Sequence, residues 1–205
     1  AVPLPDGLDP ALVGPLFCAG STVFSPLLEY DIKPTDRVGV VGIGGLGHLA
    51  LRFLNAWGCE VTAFTSSLNK QDEAKRLGAH NVVASTDSAA LKAIAGTLDF
   101  LLVTASADLD WQGLIATLRG KGRLHFVGIV PSAIPVHVFN LIPQQKSLSG
   151  SPVGSPKTMA TMLEFCARHQ ILPQVEHFPM SQVNAAIDHL RSGKARYRVV
   201  LDASQ

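Results

Sequence analysis

The sequence predicts an α/β fold in which one parallel, doubly wound sheet carries helices on both faces. Three observations carry this prediction. Short apolar runs with few charges alternate with segments whose apolar residues recur at helical spacing. Several of the helical segments end on glycine, at Gly78, Gly96 and Gly120. The apolar run before Gly42 leads straight into Gly42-x-Gly44-x-x-Gly47, and Leu46, Leu49, Ala50, Phe53, Leu54 and Trp57 continue it as a helical stripe.

Along the chain, Asp9 to Tyr30 is largely apolar and is expected to form two packed helical segments broken at Pro15. The glycine-rich strand-to-helix unit follows. Glu60 to Thr65 reads as a strand and Lys70 to Leu77 as a helix closed by Gly78. Asn81 to Ala84 is a short strand, and Ser88 to Ala95 a helix ended by Gly96. Leu98 to Thr104 is a buried strand, Leu109 to Leu118 a helix closed by Gly120, and Arg123 to Val130 another strand. Gln145 to Ser149 supplies the sixth strand. A helix near Pro156 to Arg168, a strand near Gln174 to Phe178, a helix near Gln182 to Ser192 and a strand near Arg196 to Asp202 complete the chain. In the last helix Ser181 is the expected cap, and Val183, Ala186, Ile187 and Leu190 the expected buried face. The two final strands have no place in a six-stranded sheet of this kind. The division expected is therefore residues 1–152 as a nucleotide-binding domain with a helical lead-in, and residues 153–205 as segments that partly return to a catalytic domain lying mostly outside this sequence.

At 205 residues, 47% hydrophobic and 16% charged, the chain can bury one substantial core. A net charge of +1 without basic runs gives no electrostatic case for nucleic acid or an anionic membrane as partner. No apolar stretch reaches the roughly 18 residues of a spanning helix. The first ten residues lack the basic start and apolar region of a secretory signal, so a cytoplasmic location is the default expectation. Cys18, Cys59 and Cys166 are odd in number and far apart, which fits reduced thiols; Cys59 and Cys166 read as small buried apolar groups. The seven histidines show no ligand spacing with one another or with Cys18.

The glycine pattern points to a dinucleotide. Gly42 permits a tight turn, Gly44 leaves room for a pyrophosphate against the backbone, and Gly47 lets the helix pack closely on the strand. The helix N-terminus then offers unpaired N–H groups to the anion. The bland alternative is a glycine-rich turn without a ligand. Where the next strand ends, a carboxylate commonly accepts hydrogen bonds from the ribose of NAD. Ser66, Ser67 and Lys70 stand there instead, two hydroxyls and an ammonium that can bind a 2′-phosphate, which favours NADP. The same serines could merely cap the following helix while Lys70 is a solvated surface charge.

The run Pro15-Leu-Phe-Cys-Ala-Gly-Ser-Thr-Val-Phe-Ser-Pro-Leu27, the glycine loop with His48, Thr65-Ser-Ser-Leu-Asn-Lys70, Leu148-Ser-Gly-Ser151 and Ala195-Arg-Tyr-Arg-Val199 together resemble the medium-chain zinc-dependent alcohol dehydrogenases. The NADP-preferring branch similar to cinnamyl alcohol dehydrogenases is the nearest resemblance, across the cofactor domain and the C-terminal return. That resemblance implies a Rossmann domain and hydride transfer between NADP(H) and an alcohol or aldehyde substrate, with a catalytic Zn²⁺ as Lewis acid in the complete protein. It implies Cys18 as one metal ligand, the others lying upstream, so the isolated chain is expected to be inactive. It further implies Thr22 and Leu46 beside the nicotinamide, with Gly45 as another cofactor-binding residue of the loop. The backbone of Val127, Gly128 and Ile129 and of Ser149, Gly150 and Ser151 would bond the carboxamide. Arg196 or Arg198 would reach the pyrophosphate, with Arg196 taken as the cofactor contact. His48 either faces the cofactor cleft or only packs. By the same analogy, copies of the chain could pair near Val136 to Phe139 as a homodimer. Two other functions stay open: a zinc-free quinone or enone reductase of the same superfamily, and an NADP-binding module without catalysis.

Overall fold

The computed structural model describes residues 2–203. The lead-in is α1 (Pro10–Val13), a 3₁₀ turn (Gly14–Phe17) and α2 (Ala19–Glu29). Pro15 sits at the start of the 3₁₀ turn, where its missing N–H costs nothing, and the chain breaks at Cys18 and not at Pro15 as expected. Then come β1 (Arg37–Val41), α3 (Gly47–Trp57), β2 (Glu60–Thr65), α4 (Gln71–Arg76), β3 (Asn81–Ala84), α5 (Ser88–Ala93) and β4 (Leu98–Val103). The unit continues through α6 (Trp111–Thr117), β5 (Leu118–Phe126) and β6 (Ser147–Gly150). These strands form one parallel sheet of six in the order β3-β2-β1-β4-β5-β6, reversing direction of growth between β1 and β4. That is the doubly wound arrangement the sequence predicts.

The sheet divides the core into two layers. On one face α2, α3 and the later helix α7 (Pro156–His169) bury Leu16, Phe24, Phe53, Leu54 and Leu163, with the rings of Phe24 and Phe165 touching each other and both touching Phe53 and Trp57. On the other face α5 and α6 bury Leu91, Trp111, Leu114 and Ile115 against Phe64, Leu101 and Val103. Each large apolar side chain fully buried here contributes about 1.5–3 kcal/mol. No single described helix is long and apolar enough to cross a membrane. The apolar pair Pro10–Phe17 and Ala19–Glu29, bent by 56°, places Val13, Leu16, Val23 and Phe24 in the core.

The C-terminal segment adds β7 (Val175–Pro179), α8 (Val183–Arg191) and β8 (Arg198–Asp202), with β7 and β8 paired parallel in a separate two-stranded sheet. Three local expectations fail. Gly120 does not close α6: Leu118 is already extended and paired with Leu98, and the left-handed residue of the connection is Lys121. Ser181 does not cap α8, because it lies inside a 3₁₀ turn, Met180–Gln182, where the backbone is already helical. Of the face expected to be buried only Ala186 is; Ile187 and Leu190 are exposed, since α8 packs on just two strands.

Candidate dinucleotide site

The carboxyl ends of β1 and β4 flank the point where the strand order reverses, and the glycine loop lies in that crevice. Gly42 leaves β1 with φ +90°, a conformation a side chain rarely tolerates, and donates its N–H to Phe64 O at 3.0 Å. The loop returns so tightly that a Cβ on Gly47 would lie 1.9 Å from Gly42 O. Thr104, the residue after β4, steadies the turn from the neighbouring strand. Its hydroxyl stands 3.0 Å from Val41 O and 2.9 Å from Gly42 O. Gly44 is the reverse case: a Cβ there would meet nothing within 4 Å, so the space above it is open. Among the described residues the N–H groups of Gly45 and Leu46 have no backbone acceptor, and they lead directly into α3. Open space, unpaired amides and the positive end of an eleven-residue helix are the features by which such a loop can bind an anion.

The back of the loop is held by two side chains. His48 is fully buried; its Nδ1 lies 3.0 Å from Gly44 O and its Nε2 accepts the Gln174 N–H at 3.3 Å. Because Nε2 accepts, the proton sits on Nδ1 and donates to Gly44. Burial lowers the His48 pKa to about 4; the Gly44 hydrogen bond opposes that shift, and the charges of Arg198 and Arg52 add to it. The ring stacks on Tyr197, centroids 4.7 Å apart and planes 13° from parallel. His48 therefore turns away from the cleft, behind the loop. The second side chain is Arg198, whose Nε donates to Gly45 O at 3.0 Å. Arg196, the residue expected at the cofactor, instead points toward Glu73 of α4, 3.8 Å away, and leans over the Tyr197 ring. The two arginines differ by position: Arg198 opens β8, which faces the loop, whereas Arg196 lies before the strand in the turn beside α4.

At the end of β2 the two serines divide their roles. Ser67 Oγ accepts the Asn69 N–H at 3.3 Å and caps the short turn Leu68–Lys70. Ser66 is exposed, and Lys70 has no carboxylate within ion-pair distance among the described residues. A hydroxyl and an ammonium thus stand beyond β2, where no acid occupies the ribose position.

At the other end of the crevice, Thr22 Oγ1 donates to Cys18 O at 2.8 Å, leaving its lone pairs to accept, and Leu46 is half-buried. The N–H groups of Val127 and Gly128 are both committed to Val103 O, and that of Ser151 to Phe126 O. For a carboxamide these segments therefore offer carbonyl oxygens and the N–H of Ile129, which is 84% exposed. Gly150 ends β6 opposite Phe126. A buried histidine to which the sequence assigned no site role organises this edge. His125 on β5 places Nδ1 2.8 Å from Ser149 Oγ and Nε2 2.9 Å from Ser151 Oγ, and burial beside Arg123 lowers its pKa to about 4. Both serine hydroxyls thus turn inward to His125.

Cys18 is exposed, while Cys59 and Cys166 are buried and their thiols pushed up to about 12. Among the described residues no group of three His, Cys, Asp or Glu side chains could hold a metal ion. Cys18 by itself does not make a zinc site, which needs about three protein ligands.

The loop, the strand order and the sites around them define a nucleotide-binding dehydrogenase fold, and a sequence model described as zinc-binding dehydrogenase matches residues 45–168. The chain belongs to that family. It is 54% identical over 204 residues to an aldehyde reductase of Synechocystis sp., a match covering all of this chain and 61% of that protein. A cinnamyl alcohol dehydrogenase of Sorghum bicolor superposes with a TM-score of 0.93 at 38% identity, covering 99% of this chain and 58% of that one. A Helicobacter pylori protein called CAD, solved with NADP(H), superposes with a TM-score of 0.87 at 29% identity over all of this chain and 58% of its own. The chain thus spans about three fifths of the length of the relatives it matches.

Proposed function

We propose that this chain is the cofactor-binding portion of an oxidoreductase that moves hydride between NADP(H) and an alcohol or aldehyde. The observation that carries the reading is the open space over Gly44 beside the unpaired amides of Gly45 and Leu46, continued at the end of β2 by Ser66 and Lys70 without an acid. The glycine loop binds the pyrophosphate through backbone N–H groups and the α3 dipole. Ser66, Ser67 and Lys70 receive the 2′-phosphate, Ser67 from its capping position. Thr22, Leu46 and the carbonyls of Val127 to Ile129 and Ser149 to Ser151 line the nicotinamide end and fix which ring face is presented. When bound, the nicotinamide supplies or accepts the hydride.

Cys18 is the thiol this chain offers to a zinc ion in the whole protein, and the described residues provide no three-ligand set of their own. Pairing with a second copy belongs to the same reading. β6 is an edge strand, and Val138, Phe139 and Ile142 beside it are 61%, 75% and 66% exposed.

The test is equilibrium titration of the chain with NADPH and NADH, repeated on Ser66→Asp. NADPH should bind at least about tenfold more tightly in the parent, and the new carboxylate should repel the 2′-phosphate and offer an acceptor to the free ribose, reversing the order. Equal affinities in both proteins would remove the NADP assignment.

A further inference from the structure

Two successive carbonyls of the glycine loop are gripped from behind by side chains tied to the C-terminal segment. Gly44 O accepts from the backbone N–H of His48 at 3.1 Å and again from its side-chain Nδ1 at 3.0 Å, and Gly45 O accepts from Arg198 Nε. In a trans peptide the C=O of one residue and the N–H of the next point in opposite directions. Fixing the Gly44 carbonyl rearward therefore aims the Gly45 N–H forward, and fixing the Gly45 carbonyl aims the Leu46 N–H forward. Neither of these amides has a backbone acceptor among the described residues.

The grip depends on the β7–α8–β8 segment. His48 Nε2 accepts from Gln174, its ring stacks on Tyr197, and Tyr197 N in turn donates to Gln174 O at 3.1 Å. One buried imidazole thus touches both members of a hydrogen-bonded pair at the base of β7 and β8 while holding the loop. Arg198 follows Tyr197 directly.

Resting on the dinucleotide reading above, we infer that His48 is a positioning residue that couples the aim of the glycine-loop amides to the docking of the β7–α8–β8 segment, so that dinucleotide binding and docking reinforce each other. A pyrophosphate pulls the amides forward and keeps their carbonyls on His48 and Arg198, which holds the segment down. Loosening the segment frees the peptide planes and weakens the dinucleotide. The coupling is reciprocal by thermodynamic necessity.

Two substitutions separate the parts. His48→Phe keeps a ring to stack on Tyr197 but loses both hydrogen bonds. His48→Asn places an amide N–H where Nδ1 stood, retaining the bond to Gly44 while losing the contacts to Gln174 and Tyr197. NADPH affinity is read by fluorescence titration of the full chain, docking by amide hydrogen exchange over residues 174–198 with and without NADPH, and folding by thermal melting of the same samples. In the parent, NADPH should slow exchange across that segment. His48→Phe should bind NADPH about tenfold more weakly and lose that protection, whereas His48→Asn, which keeps the Gly44 bond but releases the segment, should weaken binding less, by about threefold, and also lose the protection. Unchanged affinity and protection in His48→Phe, or a loss that only tracks its unfolded fraction, would overturn the coupling. A parent that binds neither NADPH nor NADH would overturn the dinucleotide reading itself, a result distinct from a parent that binds and a variant that matches it.

Discussion

Gly44 and Gly47 lie three residues apart and should fail in opposite ways when each is replaced by alanine. At Gly47 the new methyl would sit 1.9 Å from Gly42 O and 3.1 Å from Thr104 Oγ1, where ordinary contact begins at 3.4 Å. The carbonyl is backbone and cannot swing aside, so helix and turn must separate by about 1.5 Å, the difference between those distances. Overpacking of that kind costs roughly 3 kcal/mol, equivalent to a fall of about 6–12 °C in Tm for a chain of this length. Dinucleotide affinity should drop with it, since a displacement above 1 Å moves the amide donors out of hydrogen-bond range. At Gly44 the methyl meets nothing within 4 Å, so Tm should stay within about 1 °C. It would, however, occupy the space assigned to the pyrophosphate, and NADPH affinity should fall by at least about tenfold through lost close approach. Thermal melting and NADPH titration of the two variants give four numbers. A Gly44→Ala protein that binds NADPH like the parent would refute the placement of the anion, and a Gly47→Ala protein with the parent's Tm would refute the packing argument.

Acid should destabilise the fold through His48 and His125, each lowered from 6.5 to about 4, by burial first and by neighbouring arginines second. Between these values the unfolded chain binds more protons than the native one. Stability therefore falls as pH drops from about 6.5 toward 4, by about 2 kcal/mol per histidine at pH 5. Denaturant titrations at neutral and acid pH check this: His125→Asn should lose part of the slope, and an unchanged slope would count against the buried neutral imidazole. The thiols should separate by exposure. With a chromogenic disulfide reagent at mildly alkaline pH, Cys18 should react promptly in the native protein while Cys59 and Cys166, pushed up to about 12, react only after unfolding. Fast modification of more than one thiol in the native state would contradict the burial.

The features legible in the sequence are those set by local periodicity. The strand running into Gly42, the helical stripe from Leu46 to Trp57 and the glycines after α4 and α5 depend on neighbours a few residues away, and the parallel order follows from their alternation. What escaped were contacts between distant segments. His48 meets Gln174 across 126 residues, and Arg198 meets Gly45 across 153; the docking of β7 and β8 decides both. Arg196 and Arg198 are equivalent by composition, and only that docking turns one toward the loop and the other toward Glu73. His125 escaped for a related reason: the register of β5 on β6 sets it between Ser149 and Ser151, and no spacing along the chain encodes that register. Thr104 was closer to being found, since the end of a strand beside the reversal point is where such folds place working residues.

The partition of the interior by the sheet also divides the chromophores. The protein has two tryptophans, and they fall one to a layer: Trp57 among Phe24 and Phe165 with its indole N–H on Ile32 O, and Trp111 on the opposite face against Phe126. Intrinsic fluorescence is therefore a composite of two separately housed signals. Replacing either indole by phenylalanine leaves a spectroscopic gauge for one side of the sheet alone, which makes the simultaneity of melting on the two sides a measurable quantity.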